Sequence, residues 1–542
     1  MRCLSEVMKK EKIMNENETP NVTVDPVTPD PAPQETPVYQ PVPEEPVPQK
    51  KGFPKLILLI AVLAVVGVAA FFGIKALAGG SPLTKAMAGI KKSVEAMEKN
   101  EYASLAKNVS EAGSMTVSVD LSKLADVIGT EVPAKIDLTT YANMKNSQAA
   151  LEIDTQMKSK SILHGTFTAS QDELAVACEQ IFGKKNYSLS IKDLGKNLPK
   201  SIFDPDSDTE FALPEEVYEW LVGLKNGPVA PFKELSKDMQ SVFESAVKVL
   251  KTSIEKNGEI SKGSETVSIG EADVKTNTVT VKLNGKQVAA IATDVLKWAK
   301  SDKDLKDLIT KFTDTYGPAL DAEAGDISEI LDGFYDGIDD ALDQLEDVEE
   351  DAVDLTVVFY LNKSNGQLVK AEVIVKNDEG KTTLTLEGGP DWKDLAYYSI
   401  SMKDPYSKMS VTYNVEENTK SQFTSKIKVK EGGDTTMSAT FSWDKSSGDL
   451  RITSTEADFK LTGTMTQKGK VTTIELKKLE AGRYFSVKDL GTTITLNESA
   501  KVPSISKTTE ILKLSEDDFE ALAEDVQDAV EELMEKIQDA MD

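Results

Sequence analysis

The sequence has few of the side chains that most often perform catalysis or bind metals. Among 542 residues there is one histidine, His164, and there are two cysteines, Cys3 and Cys178. Zinc sites of the His/Cys type need several such ligands, and Ser-His or Cys-His dyads need a histidine beside the nucleophile. No phosphate loop, dinucleotide-binding glycine pattern or kinase motif set occurs. We therefore predict a protein that is not an enzyme, with no catalytic and no cofactor-binding residues.

Arginine is also scarce, and the charge balance is strongly acidic. Only three basic residues are arginines, Arg2, Arg451 and Arg483, and the formal net charge is -28. Arginine binds phosphate through a planar fork of donors, so its scarcity argues against phosphate recognition. An acidic excess of this size repels the phosphates of nucleic acids and favours cations or basic partners. We expect no nucleic-acid partner.

A single long apolar run occurs near the beginning of the chain. Leu56 to Ile74 is free of charge and is flanked by Lys55 and Lys75. At ~1.5 Å of rise per residue this run matches a hydrocarbon core of about 30 Å, which predicts one transmembrane helix in the lipid bilayer. A cleaved signal peptide is the alternative, but its apolar core is shorter, about 7 to 15 residues, and begins nearer the N-terminus.

The segment before this run is rich in proline. Residues 15–54 hold 11 of the 22 prolines, alternating with Val, Thr, Glu and Asp. Proline fixes the backbone and removes hydrogen-bond donors, so we predict an extended, disordered tail. Lysines on both sides of the apolar run leave its orientation undecided. Because a lone uncleaved span behind a short tail acts as a signal anchor, we expect a cytoplasmic N-terminus and an extracellular body.

After the span, helical and strand periodicities alternate. Ser81 and Pro82 are a typical cap and first-turn pair for a helix, Ser301 with Asp304 has the form of another capping pair, and Ser515 is the predicted cap of the C-terminal helix. From Met115 and again from Leu355 apolar residues recur at every second position, which predicts antiparallel meanders with one buried face. The same alternation places His164 on the face opposite Leu163 and Phe167. The fold class is α+β: large antiparallel meander sheets, curved or half-barrel, with packing helices.

A short sequence occurs twice and suggests how the body is divided. SIKDLG at 190–195 returns as SVKDLG at 486–491, and in both places a helix that opens with acidic residues follows. The match indicates a duplicated module, each a meander closed by a helix. The predicted divisions are a disordered Pro-rich cytoplasmic tail (1–54), the transmembrane helix (55–76), a lead helix with the first meander (77–213), a mainly helical segment with short strands (214–354), and a second long meander with a C-terminal acidic helix (355–542).

One acidic stretch has the spacing of a calcium-binding loop. Asp204, Asp206, Asp208 and Glu215 occupy positions 1, 3, 5 and 12, and carboxylates at these positions are typical calcium ligands. Position 6 is Thr209 rather than the glycine that permits the sharp turn. These four residues are the candidate metal ligands, and a solvated acidic turn is the alternative.

The whole pattern resembles that of a protein family. The Lys-flanked span, the Gly-Gly-Ser-Pro stalk at 79–82, YSLSIKDLG at 187–195 and VTVKLNGKQ at 279–287 are similar to uncharacterised single-pass membrane-anchored surface proteins of low-GC Gram-positive bacteria. No catalytic motif defines that group. At the level of fold, a long meander with helices against it resembles the LolA-like lipoprotein-carrier half-barrels, which hold acyl chains on a concave face.

These observations predict a function without a chemical reaction. We expect a cell-envelope-anchored extracellular binding or scaffold protein that can hold a lipid or other apolar ligand on a curved sheet. One alternative is a structural or sensory spacer that couples the outside to the Pro-rich tail. The other is a carboxylate-dependent hydrolase of wall polymers.

Overall fold

The described part of the chain begins after the predicted membrane span. The computed structural model describes residues 80–541 with gaps at 126–128, 130–131, 208, 224–228, 313–326, 379, 395 and 484. The predicted tail and the predicted transmembrane helix lie outside the described residues. Within residues 80–541, apart from those gaps, every helix is too short or too polar to cross a membrane.

The helices begin at residues that satisfy the first free backbone donors. Ser81 precedes Pro82, and its hydroxyl accepts a hydrogen bond from the Thr84 amide at 3.1 Å. Asn284 and Gln287 form a reciprocal capping box, with bonds of 2.8 and 2.9 Å. The helices are α1 (Pro82–Met97), α2 (Glu101–Ala112), α3 (Glu179–Phe182), α4 (Leu194–Asn197), α5 (Glu215–Gly223), α6 (Val229–Asn257), α7 (Gly285–Ser301), α8 (Ile327–Glu346) and α9 (Glu516–Met541).

One predicted cap is wrong. Residues 303–312 are helical, but the carboxylate of Asp302, not Ser301, accepts the hydrogen bond from the Leu305 amide at 2.8 Å. Ser301 is the last residue of α7 and donates its hydroxyl to the Lys297 carbonyl at 2.7 Å. Asp is as good an N-cap as Ser, and here it stands one residue further along. The C-terminal helix is capped as predicted, by Ser515.

The strands confirm the two-residue periodicity. They are β1 (Gly113–Asp120), β2 (Ala134–Asn143), β3 (Gln148–Met157), β4 (Lys160–Ala169), β5 (Glu173–Cys178), β6 (Asn186–Ser190), β7 (Glu259–Ile269), β8 (Ala272–Leu283), β9 (Asp354–Asn362), β10 (Leu368–Asn377), β11 (Gly380–Gly388), β12 (Tyr397–Lys403), β13 (Lys408–Asn418), β14 (Gln422–Glu431), β15 (Asp434–Asp444), β16 (Asp449–Ser454), β17 (Phe459–Lys468), β18 (Val471–Ala481), β19 (Phe485–Val487), β20 (Thr492–Asn497) and β21 (Thr508–Glu510).

These strands form one large sheet. From β7 to β18 each strand pairs with the next, and β20, β1, β2, β3, β4, β5, β6 and β21 then follow in that spatial order. β19 pairs with the free end of β18 beside β20. All of these pairs are antiparallel except β6 with β21, which are parallel. The predicted class, α+β with a large antiparallel sheet and helices, is confirmed.

Strand β1 joins the two ends of the folded chain. Val117 lies opposite Leu138 of β2 on one side and opposite Ile494 of β20 on the other. The two meanders recognised in the sequence are therefore parts of one continuous sheet. Each of the repeated hexapeptides begins inside the end of a strand, β6 or β19, but only the first continues into a helical turn, α4. The duplication and the domain boundaries stay predictions.

A helical insertion packs on one end of the sheet. α7 and α8 lie in sequence between β8 and β9, yet these two strands are neighbours, with Val279 opposite Phe359. Gly89 of α1 lets that helix lie directly against Leu361 of β9. The resulting core is the largest cluster of buried apolar side chains in the described residues, contributed by α1, α7 and β8 to β10.

Candidate functional site

One face of the sheet is apolar across almost its whole width. Successive residues of a strand point to opposite faces, so the register shows which side chains share a face. Phe359 lies opposite Ala371 near one end of the sheet, and Phe167 lies opposite Leu151 near the other. The residues that connect them across the strands are Leu386, Ile400, Val411, Val429, Met437, Phe441, Ile452, Leu461, Leu479, Ile474, Ile494, Val117, Leu138 and Ile153. We term this surface the apolar face.

Helices cover the end of the apolar face that begins at β8. Over β8 to β10, α1 contributes Leu83 and Ile90, and α7 contributes Val288 and Ile291, to the core. Phe359 beneath them is only 6% exposed. This part of the face is an ordinary hydrophobic core, and it is filled by the chain itself.

Beyond β11 the same face carries large apolar side chains that stay open to solvent. Ile400 is 49% exposed and Ile427 is 41% exposed, although both lie mid-strand. The part from β12 to β4 is termed the uncovered apolar surface, although Phe423, Leu450 and Met157 within it are buried. Its most exposed members, each more than a third exposed, are Tyr398, Ile400, Met402, Met409, Ile427, Met437, Met115, Leu138 and Phe167.

Charged residues on this surface occur only at strand ends. Glu431 and Lys160 are the last and first residues of their strands, and the inner rows are apolar, Ser, Thr or Gly. Lys426 and Lys428 of β14 belong to the opposite face, since they alternate with Ile427. With ~4.8 Å between neighbouring strands, the twelve strands from β12 to β4 span roughly 50 Å. Contiguous apolar patches of this extent mark interaction sites on soluble proteins.

Aromatic rings add shape to this surface. Tyr398 and Tyr413 stack with ring centroids 5.3 Å apart, and Phe423 meets Phe441 edge to face at 5.8 Å. Burial raises the pKa of Tyr413. These rings sit among flexible methionines, which adapt to ligands of different shape.

The opposite face of the sheet carries a network of charged and phenolic groups. The Tyr360 hydroxyl donates to Glu372 at 2.6 Å, and the Lys370 ammonium lies 3.1 Å from Glu372 and 3.3 Å from Glu387. Burial, and then the hydrogen bond to Glu372, raise the pKa of Tyr360. Burial alone lowers the pKa of Lys370, but the two carboxylates outweigh it and raise that pKa. The cation between the carboxylates makes this a stabilising network.

A second phenol on the polar face predicts alkaline sensitivity. The Tyr141 hydroxyl donates to Glu152 at 2.6 Å; burial, and then this bond, raise its pKa to about 12. An unfolded tyrosine ionises near pH 10, so the stability that Tyr141 contributes is complete below about pH 10 and is lost as pH rises toward 12. We expect Tyr141→Phe to make the free energy of unfolding, measured by urea denaturation, less dependent on pH in that window. An unchanged slope would contradict this assignment.

Two of the predicted calcium ligands, Asp204 and Asp206, lie in a turn before α5. Asp204 accepts hydrogen bonds from the Asp206 amide at 3.0 Å and the Tyr218 hydroxyl at 3.3 Å. Glu215 is the first residue of α5, and Asp208 lies outside the described residues. Among the residues that the structure describes, no three His, Cys, Asp or Glu side chains are grouped so that they could hold a metal ion. The calcium site stays a prediction.

The histidine and the second cysteine lie on neighbouring strands: Gly165, next to His164, pairs with Cys178, and the Gln180 side chain accepts a hydrogen bond from the His164 amide at 3.1 Å. His164 lies on the polar face, as the alternation predicts, with its ring 3.9 Å from Asp154. Cys178 is buried at the end of β5, and its thiol lies 3.8 Å from the Gln180 side chain.

A small cleft lies between α7 and α8. It has a volume of about 270 Å³, and the residues that line it include Ala289, Ala290, Leu342, Lys286 and Lys297. Sequence analysis did not identify it, because its walls come from helices separated by a long stretch of chain. It is much smaller in extent than the uncovered apolar surface.

No family model matches the sequence, and no match among curated proteins was found.

Proposed function

We propose that this chain is a non-enzymatic, envelope-anchored binding protein that holds acyl chains on the uncovered apolar surface. The observation that carries the proposal is the row of mid-strand apolar side chains, Ile400, Ile427 and Met437, that stay more than 40% exposed. Complete burial of such a side chain stabilises a protein by about 1.5–3 kcal/mol, and an apolar ligand that covered the exposed part, which is nearly half, would recover about half of that.

The dimensions and chemistry of the surface fit a lipid. Its span of roughly 50 Å exceeds the length of an acyl chain, which is about 15 Å, half of a bilayer core. The inner rows of this surface carry no charged side chains, which favours binding of a hydrocarbon chain, because burying an unpaired carboxylate or ammonium under it would be costly. We further propose that strand twist curves the sheet into a half-barrel with this surface inside, attached to the outer face of the membrane by the predicted span, 55–76.

A photoreactive fatty acid tests the proposal in the full chain. The chain is reconstituted in lipid nanodiscs, mixed with a diazirine-bearing fatty acid, irradiated and digested, and the labelled peptides are located by mass spectrometry. We expect labels in peptides from 398–441, in addition to any in 56–74. Labels confined to 56–74 would contradict the proposal and favour the spacer alternative.

A further inference from the structure

The hairpin between β12 and β13 presents a fixed, exposed aromatic ring. Tyr406 is 90% exposed. The Asp404 carboxylate accepts hydrogen bonds from the Tyr406 amide at 2.7 Å, the Ser407 amide at 2.6 Å and the Ser407 hydroxyl at 2.7 Å. The neighbouring turn packs on it, because a Cβ on Gly380 would lie 2.5 Å from Pro405. The turn therefore holds the tyrosine ring in water at the tip.

Two lysines face each other at the base of this tip. Lys403 lies directly opposite Lys408 in the register. Like charges in that position destabilise a hairpin. Within the described part of the chain neither lysine takes part in an ion pair, and the Asp404 carboxylate between them is engaged by the turn. A negatively charged partner outside the chain would relieve this repulsion.

The next pair inward continues into the uncovered apolar surface. Met402 lies opposite Met409, and both side chains are more than a third exposed. Met437, two strands further on, is 47% exposed. The tip thus combines an aromatic ring, an apolar row that leads to the proposed ligand site and, on the opposite face of the two strands, two cations.

We propose that this tip, residues 402–409, docks on a phospholipid surface with anionic headgroups. Tyrosine favours the interface between headgroups and acyl chains, and lysines are attracted to anionic headgroups by about fivefold in affinity each. The chain as a whole is strongly acidic, whereas residues 402–409 hold two lysines and one aspartate, which makes the tip itself slightly cationic and the part of the chain that an anionic surface can accept. A nucleic acid would use the lysines but would leave the methionines exposed. This inference rests on the proposed function in one respect: docking of the tip would bring the end of the acyl-chain site to a membrane.

A fluorophore at the tip tests the docking in the full chain. Both native cysteines are first removed by Cys3→Ser and Cys178→Ala. Tyr406→Cys is then introduced and labelled with an environment-sensitive dye. The matched control is the same dye on Lys420→Cys, which lies in the exposed turn at the opposite end of β13. The chain is held in nanodiscs of phosphatidylcholine, and vesicles with or without phosphatidylglycerol are added. We expect a blue shift at 406 only with phosphatidylglycerol, and no shift at 420. Equal shifts at both positions, or none at 406, would overturn the proposal.

Charge variants complete the test. We expect Lys403→Gln with Lys408→Gln to weaken vesicle affinity by about 20-fold, and ~1 M salt, where the Debye length is about 3 Å, to abolish the shift. Lys420→Gln is the control and should change neither the vesicle affinity nor the shift of the dye at 406. Affinity that is unchanged by the double variant would contradict docking through the tip. Fatty-acid labelling of 398–441 is measured separately. If the dye at 406 shows no contact with vesicles but the fatty acid still labels 398–441, the docking inference is wrong and the proposed function stands.

Discussion

Replacing Ile427 by Asp is expected to reduce photolabelling of residues 398–441 by at least about tenfold. Ile427 is exposed in the middle of the uncovered apolar surface, directly opposite Tyr413 and Ala439. A carboxylate there would have to lose water against bound hydrocarbon, at a cost of several kcal/mol, whereas in the free protein it stays hydrated. Each 1.4 kcal/mol lost corresponds to a factor of ten in affinity.

The adjacent residue supplies the control. Lys428→Asp introduces the same carboxylate one position along β14, but on the polar face of the sheet. Labelling of 398–441 should stay close to that of the unmodified chain, with circular dichroism showing that both variants are folded. If the two variants lose labelling equally, the loss reflects general damage and the uncovered apolar surface is not the site.

The second large effect concerns stability. Phe359→Ala is expected to lower the free energy of unfolding by about 3–5 kcal/mol, because Phe359 is buried beneath α1 and α7 and its removal leaves a cavity. Phe167→Ala removes the same atoms from the same face of the sheet, but Phe167 is 43% exposed. We expect that variant to lose about 1 kcal/mol. Urea unfolding of the two variants measures the difference.

This pair of substitutions tests whether the two ends of the apolar face differ. Equal losses would mean that Phe167 is packed in solution as firmly as Phe359, so that something covers the surface without a ligand. A small loss for both would mean that α1 and α7 do not pack on β8 to β10 as described.

Local signals were sufficient to predict most elements. The alternation from Leu355 onward predicted the strands from β9 to β18, and the same alternation placed His164 on the polar face. The caps at Ser81 and Ser515 predicted two helix starts, because side-chain oxygen, backbone amide and spacing all belong to one short segment. The sequence also predicted helices packed on the sheet, and helices cover it over β8 to β10.

Long-range relations could not be predicted in the same way. Nothing local indicates that Val117 pairs with Ile494, since that pairing joins strands far apart in sequence. β7 was missed because its polar sequence lacks clear alternation, and it is recognisable only as the partner of β8. Whether an apolar row is covered depends on where α1 and α7 pack, so Ile400 and Phe359 are alike in sequence pattern but opposite in exposure.

An experimental structure of the full chain purified from its own cells tests the central claim most directly. The account predicts elongated, non-protein density along the uncovered apolar surface, in contact with Ile400, Ile427 and Met437. An empty surface, or density there that traces to polypeptide, would contradict it.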